Sequence, residues 1–153
     1  MQPTRPPDDR RARHEARGEW PQPSLSAMLD ARAAATPDRV YLIEGKREGG
    51  RTLTFAALKA RADRMVVALA RLGVGPGDVV SWQLPNWLEG AALAAAIDRV
   101  GAVSNPIITI YREREVGFVC RQARSRVLVV PGLVRGVDHR ELAAAVRASA
   151  SDL

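Results

Sequence analysis

The chain has 153 residues, of which 46% are hydrophobic and 26% charged, so it can form one ordinary soluble domain. Its single cysteine, Cys120, excludes a disulfide framework, and two isolated histidines with one cysteine do not make a metal site. The formal net charge of +6 comes from arginines scattered among acidic residues without interleaved aromatic side chains, a pattern that disfavours a nucleic-acid partner.

The first 22 residues form a leader of different composition. Residues 1–22 combine several prolines with mixed charge and almost no apolar side chains. Such a segment cannot bury enough surface to offset the entropy of ordering, so we predict a disordered or draped leader. It also lacks the apolar core of a secretory signal, and the most apolar stretch, residues 90–97, is too short to span a bilayer. We therefore expect a cytoplasmic protein with no integral membrane segment.

A helix and a hairpin are predicted next. The helix covers residues 24–35, with Ser24 or Ser26 as its cap, and Pro37 ends it because the residue before a proline avoids the helical conformation. Residues 39–44 and 51–54 alternate like strands on either side of a glycine-containing turn. This pattern predicts a β-hairpin.

The rest of the chain alternates between strands and helices. Thr54 can cap a helix whose apolar residues recur at helical spacing until Gly73 ends it. The elements predicted after it are strand 79–84, helix 87–99, strand 102–105, helix 113–123, strand 126–130 and helix 138–148. Such alternation implies a parallel sheet with helices on its faces. The predicted fold class is α/β, with a helix and a β-hairpin followed by a parallel βαβαβα unit. Three parallel strands need further neighbouring strands, so we predict an incomplete N-terminal subdomain.

The residues alone predict no catalytic constellation. The loop at residues 73–78 is rich in glycine, but a helix precedes it, so the negative end of the helix dipole faces the loop and disfavours phosphate. Glu113 and Glu115 stand at a helix start, where acidic side chains are favourable dipole partners rather than a catalytic pair. Cys120 shares an apolar helical face with Val116 and is predicted to be a buried structural thiol. We therefore assign no catalytic, cofactor-binding or metal-binding residue.

Five segments resemble the adenylate-forming family of AMP-forming acyl-CoA synthetases, in that family's order and spacing. They are Thr36-Pro37-Asp38-Arg39-Val40, Thr52-Leu53-Thr54-Phe55-Ala56-Ala57-Leu58, Leu72-Gly73-Val74-Gly75-Pro76-Gly77-Asp78-Val79-Val80, Gln83-Leu84-Pro85-Asn86-Trp87 and Gly101-Ala102-Val103-Ser104-Asn105-Pro106. The resemblance starts near Gly18 and identifies residues 23–153 as a partial N-terminal domain of such a ligase. Residues 18–20, 83–87 and 110–115 further resemble the cyclohexanecarboxylate- or fatty-acid-CoA ligase branch.

The resemblance implies the chemistry of a parent enzyme. In that family a carboxylic acid and ATP give an acyl-adenylate, and CoA then displaces AMP. The phosphate loop, the Mg²⁺ site, the ribose-binding acid and the C-terminal lysine of the family all lie downstream of the matched region, so no site residue is carried over. We expect ATP, Mg²⁺, CoA and the carboxylic acid to bind the parent only, and the 153-residue piece to be inactive alone and to self-associate or pair with the remainder of a ligase.

Two alternatives remain open beside the main interpretation, in which the chain is the N-terminal fragment of an acyl-CoA ligase. The chain is either a truncated product or gene remnant without activity, or a stand-alone interaction module that associates with a full-length ligase. A nucleic-acid binder that depends on its arginines is the least favoured class, because those arginines are dispersed.

Overall fold

The computed structural model describes residues 8–19, 23–45 and 50–149 of the chain. Within these ranges it has six helices and seven short strands. In chain order they are α1 (Asp8–Ala16), α2 (Leu25–Ala35), β1 (Val40–Ile43), β2 (Thr52–Thr54), α3 (Phe55–Arg71), β3 (Val79–Trp82), α4 (Leu88–Val100), β4 (Val103–Pro106), α5 (Glu113–Ala123), β5 (Ser125–Val129), β6 (Leu133–Val134), β7 (Val137–Asp138) and α6 (His139–Ser149).

The helix α1 lies within the segment that was predicted to be a disordered or draped leader. Its first turn is acidic and its last turn basic, which favours the helix dipole, and none of its residues is buried. Two ion pairs one turn apart, Arg11–Glu15 at 2.8 Å and Arg13–Asp9 at 3.3 Å, add to this local stabilisation. Low hydrophobicity does not exclude a helix that is stabilised by its own ion pairs. Residues 1–7 and 20–22 of the leader lie outside the described residues.

The predicted first helix and hairpin are confirmed. Ser24 caps α2 by accepting a hydrogen bond from the backbone N of Ala27, and Thr54 caps α3 in the same way. Strands β1 and β2 pair antiparallel, with Ile43 opposite Thr52. Gly73 follows α3 with a φ of 75°, the left-handed conformation in which glycine commonly follows a helix.

The centre of the fold is a parallel sheet in the strand order β4-β3-β5, as the alternation of elements predicts. Successive residues of a strand point to opposite faces, and the two faces bear separate apolar clusters. Val80, Val127 and Val129 pack with the cluster formed by α2, α3 and α4, whereas Leu128 packs against the cluster of α5 and α6. Two covered faces explain why residues 127–129 of β5 are all aliphatic.

The small hairpin β6–β7 was not predicted. Its turn places Arg135 and Gly136 at positive φ, 48° and 77°, which is the conformation that asparagine, aspartate and glycine usually supply at such a turn. An arginine in the first of these positions gives no recognisable turn signal in the sequence. The hairpin matters because Val134, Arg135 and Val137 line the cleft described below.

Candidate functional site

A cleft of about 830 Å³ lies where β3, β4 and β5 reach their carboxyl ends. This edge of a parallel α/β sheet is the usual place for a ligand, and the volume suits a small molecule. The cleft is lined by Trp82 and residues 84–87 after β3, residues 106–110 and 112 after β4, and Val134, Arg135, Val137 and His139 beyond β5. Its lining is mostly apolar, with two arginines as the charged side chains.

Gln83 holds one wall of the cleft from inside the protein. Its side chain is completely buried at the end of β3, and its backbone N donates to the carbonyl of Val129. The side-chain Nε2 donates to two loop carbonyls, that of Ile108 at 2.9 Å and that of Tyr111 at 3.0 Å. Its Oε1 is buried with no hydrogen-bond partner among the described residues.

Arg112 holds the same loop from outside. One nitrogen of its guanidinium, Nη1, lies 3.0–3.1 Å from the carbonyls of Thr109, Ile110 and Tyr111. The loop's polar backbone groups thus turn toward these two side chains. The apolar side chains of Ile108 and Ile110 are exposed, that of Ile110 to 67%.

His139 places a buried ring nitrogen without a hydrogen-bond partner, among the described residues, at the cleft. The ring is 2% exposed, and its Nδ1 lies 3.2 Å from the carbonyl oxygen of Val137. Because a carbonyl oxygen only accepts, Nδ1 donates this hydrogen bond. Nε2 has no hydrogen-bond partner among the described residues. The sequence indicated only that His139 stands near a helix start.

The cleft-lining residues 84–87 lead into α4, whose first turn contacts the first hairpin. The residue before α4, Trp87, has no side-chain oxygen with which to cap the helix. Glu44, which follows β1, accepts a hydrogen bond from the backbone N of Leu88 at 3.1 Å and so supplies the missing cap. Arg51 joins Glu44 to Glu89, each at 2.6 Å, and its hydrogen bonds lower the pKa of the Glu44 carboxyl.

A buried polar cluster lies beneath the sheet and contains the only cysteine. The hydroxyls of Ser81 and Ser125 are 2.6 Å apart across β3 and β5, and Asn105 donates to the Ser81 hydroxyl at 2.8 Å. Cys120 is buried beside them, as predicted, and burial raises the pKa of its thiol. A thiol that is protonated and inaccessible is structural rather than nucleophilic.

The glycine-rich loop at residues 73–78 lies at the other end of the sheet, between α3 and β3. Its backbone donors are already engaged, since Gly75 N donates to the Asp78 carboxylate at 2.8 Å and Gly77 N donates to the carbonyl of Gly101. An acidic side chain in the loop and the carboxyl end of α3 beside it both oppose phosphate. The loop does not fit the triphosphate of ATP.

The acidic residues at the start of α5 have the predicted helix-end role. Glu115 Oε2 accepts from the backbone N of Arg112 at 3.1 Å, and this hydrogen bond lowers the pKa of the Glu115 carboxyl.

In the described part of the chain, no group of three or more histidine, cysteine, aspartate or glutamate side chains could hold a metal ion. None of the described helices has the length and apolar character needed to cross a membrane.

Comparison with known proteins decides the family. Residues 29–153 match the family described as AMP-binding enzyme. The chain belongs to the AMP-binding enzyme family. Among curated relatives of the chain, a 2-hydroxy-7-methoxy-5-methyl-1-naphthoate–CoA ligase from Streptomyces carzinostaticus is 38% identical over 90% of the chain and 24% of the relative. A salicyl-AMP ligase/salicyl-S-ArCP synthetase from Mycobacterium tuberculosis is 36% identical, also over 90% of the chain and 24% of the relative.

The solved structures confirm the predicted fold class. The apo structure of Mycobacterium smegmatis MbtA superposes on 97% of this chain with a TM-score of 0.82 and 30% identity, and the match covers 27% of MbtA. The chain therefore has the architecture of the N-terminal subdomain of adenylate-forming enzymes. It spans about a quarter of the length of these relatives.

Proposed function

We propose that these 153 residues are the N-terminal part of an ATP-dependent, AMP-forming carboxylic acid ligase. The observation that carries the proposal is the identity of 38% and 36%, over 90% of the chain, with a CoA ligase and a salicyl-AMP ligase, together with the cleft at the ligand-binding edge of the parallel sheet. The parent would first form an acyl-adenylate and then pass the acyl group to a thiol, with CoA as the expected acceptor.

We propose that the 153-residue chain does not adenylate an acid by itself. Adenylation needs groups that hold the phosphates of ATP and a Mg²⁺ ion close to them. The loop at residues 73–78 has its amides engaged and an acidic side chain within it, and the described residues provide no cluster of carboxylates for the ion. ATP, Mg²⁺ and CoA are accordingly assigned to the parent, and no chemical step is assigned to a residue of this chain.

The acid is proposed to be a hydrophobic carboxylic acid. Aromatic hydroxy acids are the first choice, since both curated relatives reported above are named for such acids. Fatty and alicyclic acids form the second group, because residues 83–87 and 110–115 resemble the branch that is named for them. A panel of salicylate, a medium-chain fatty acid and cyclohexanecarboxylate separates these groups.

Complementation tests the proposed function. The chain is mixed with the Mycobacterium tuberculosis salicyl-AMP ligase from which the matching N-terminal segment has been deleted, and acid-dependent ATP–pyrophosphate exchange is measured with each acid of the panel. We expect no exchange from either piece alone and acid-dependent exchange from the mixture, with the intact salicyl-AMP ligase as the positive control. Exchange by the chain alone would contradict the inactivity that we propose. A mixture that associates but stays inactive would favour the interaction-module alternative.

A further inference from the structure

The loop between β4 and α5 is held by side chains rather than by strand pairing. Four consecutive carbonyls, those of residues 108–111, accept hydrogen bonds from the Gln83 and Arg112 side chains. Backbone contacts of the loop are few: Ile107 N donates to the carbonyl of Trp82, and Tyr111 N donates to that of Ile108 at 3.2 Å. The loop forms most of one wall of the cleft.

We propose that Gln83 is the positioning residue of this wall. Its amide is buried, and Nε2 reaches two carbonyls that lie 25 and 28 residues further along the chain. Arg112 is exposed and belongs to the loop itself, so it closes the turn but cannot anchor it to the sheet. Gln83 joins the end of the central strand to the loop and thereby sets where residues 108–111 stand relative to the cleft.

The amide of Gln83, rather than its volume, is what the loop requires. Glutamine, methionine and glutamate have similar size, but methionine donates no hydrogen bond and an ionised glutamate only accepts. Beside the carbonyls of Ile108 and Tyr111, an ionised glutamate would also add acceptor-to-acceptor repulsion. If Gln83 merely filled space, Gln83→Met would leave the loop in place. The inference depends on the contacts of Gln83 and not on the proposed ligase function.

Hydrogen exchange on the full 153-residue chain tests the inference. We expect Gln83→Met and Gln83→Glu each to speed exchange of the Tyr111 amide by about tenfold or more, the effect of one or two net hydrogen bonds. Gln122→Glu is the matched control, because Gln122 is exposed on α5 and should change nothing near the loop. Exchange in Gln83→Met within about twofold of wild type, with the Ile97 amide still protected, would overturn the inference.

Lowering the pH separates the two variants. Burial raises the pKa of a glutamate placed at this position, and the protonated carboxyl can donate one hydrogen bond to the loop. Protection of Tyr111 in Gln83→Glu should therefore recover in part as the pH falls, whereas Gln83→Met should show no recovery relative to wild type. Recovery in both variants, or in neither, contradicts a donor role for residue 83.

A measurement on the unaltered chain covers the case in which both variants fail to fold. Scalar coupling across a hydrogen bond, observed by NMR between Gln83 Nε2 and the carbonyl carbons of Ile108 and Tyr111, reports the two bonds directly. Detection of both couplings supports the inference. Absence of both in a spectrum that shows the couplings of the β3–β5 pairs would overturn it.

Discussion

Replacement of Ile97 by alanine tests whether the described core forms within the 153-residue chain. Ile97 is completely buried on α4, in the cluster that covers one face of the sheet. Helix α4 packs against α2, α3 and the sheet, so its inner face is the largest continuous part of that core. If this packing exists in the isolated chain, removal of the side chain must leave a cavity.

The expected loss of stability follows from that burial. Ile97→Ala removes three carbon atoms, and at about 0.8 kcal/mol for each the transfer contribution is about 2.4 kcal/mol. A cavity that does not collapse adds to this value, and measured losses for such substitutions lie at about 2–5 kcal/mol. We expect a loss of about 3–4 kcal/mol, a large part of the roughly 5–15 kcal/mol that stabilises a whole domain.

Urea unfolding followed by far-UV circular dichroism measures this loss. Val67→Ala is the matched control, because Val67 is half exposed on α3 and its truncation should change stability by no more than about 0.5 kcal/mol. A loss below about 1 kcal/mol for Ile97→Ala would mean that α4 is not packed in the isolated chain. The described core would then depend on further residues of a parent enzyme.

Three further predictions concern the isolated chain. We expect it to self-associate, because β4 and β5 are open edges of the parallel sheet among the described strands. Size-exclusion chromatography with light scattering measures this association, and a clean monomer would contradict the prediction. Hydrogen bonds from Arg140 lower the pKa of Asp138 to about 2. The Asp138 carboxylate caps α6, so this stabilisation should persist above pH about 4 and be lost as the pH falls toward 2. An NMR titration with Asp138→Asn as the control checks this window, and an unchanged α6 at pH 2 would contradict it. Binding to nucleic acid should be ionic and weak, with a Kd of roughly 10⁻⁴–10⁻⁶ M, so a sequence-selective, sub-micromolar complex at physiological salt would refute it.

The regular elements could be predicted because their signals are local. The caps Ser24 and Thr54, the helical spacing in α3 and the aliphatic β5 each lie within a few residues of the structure that they specify. The buried Cys120 followed from its apolar helical face. Even the bounds were close, since β5 covers residues 125–129 and was predicted at 126–130.

The contacts of the cleft could not be predicted, because they join residues far apart in the chain. Gln83 ends a strand in the sequence pattern, and nothing local shows that its amide meets carbonyls beyond the next strand. Glu44 caps a helix that begins 44 residues later, for the same reason. The buried His139 directly follows the β6–β7 hairpin. That hairpin was not predicted, because its turn has Arg135 at a position where asparagine, aspartate or glycine would have indicated a turn.

A covalent graft tests the proposed ligase origin most directly, because it removes the assembly step that two separate pieces require. Residues 23–149 of this chain replace the matching segment of the Mycobacterium tuberculosis salicyl-AMP ligase, and acid-dependent ATP–pyrophosphate exchange is measured on the graft and on the intact ligase. If these residues are the N-terminal part of an adenylating ligase, the graft should retain exchange within about tenfold, a difference of about 1.4 kcal/mol. A folded graft that shows no exchange above a no-enzyme control would contradict that origin.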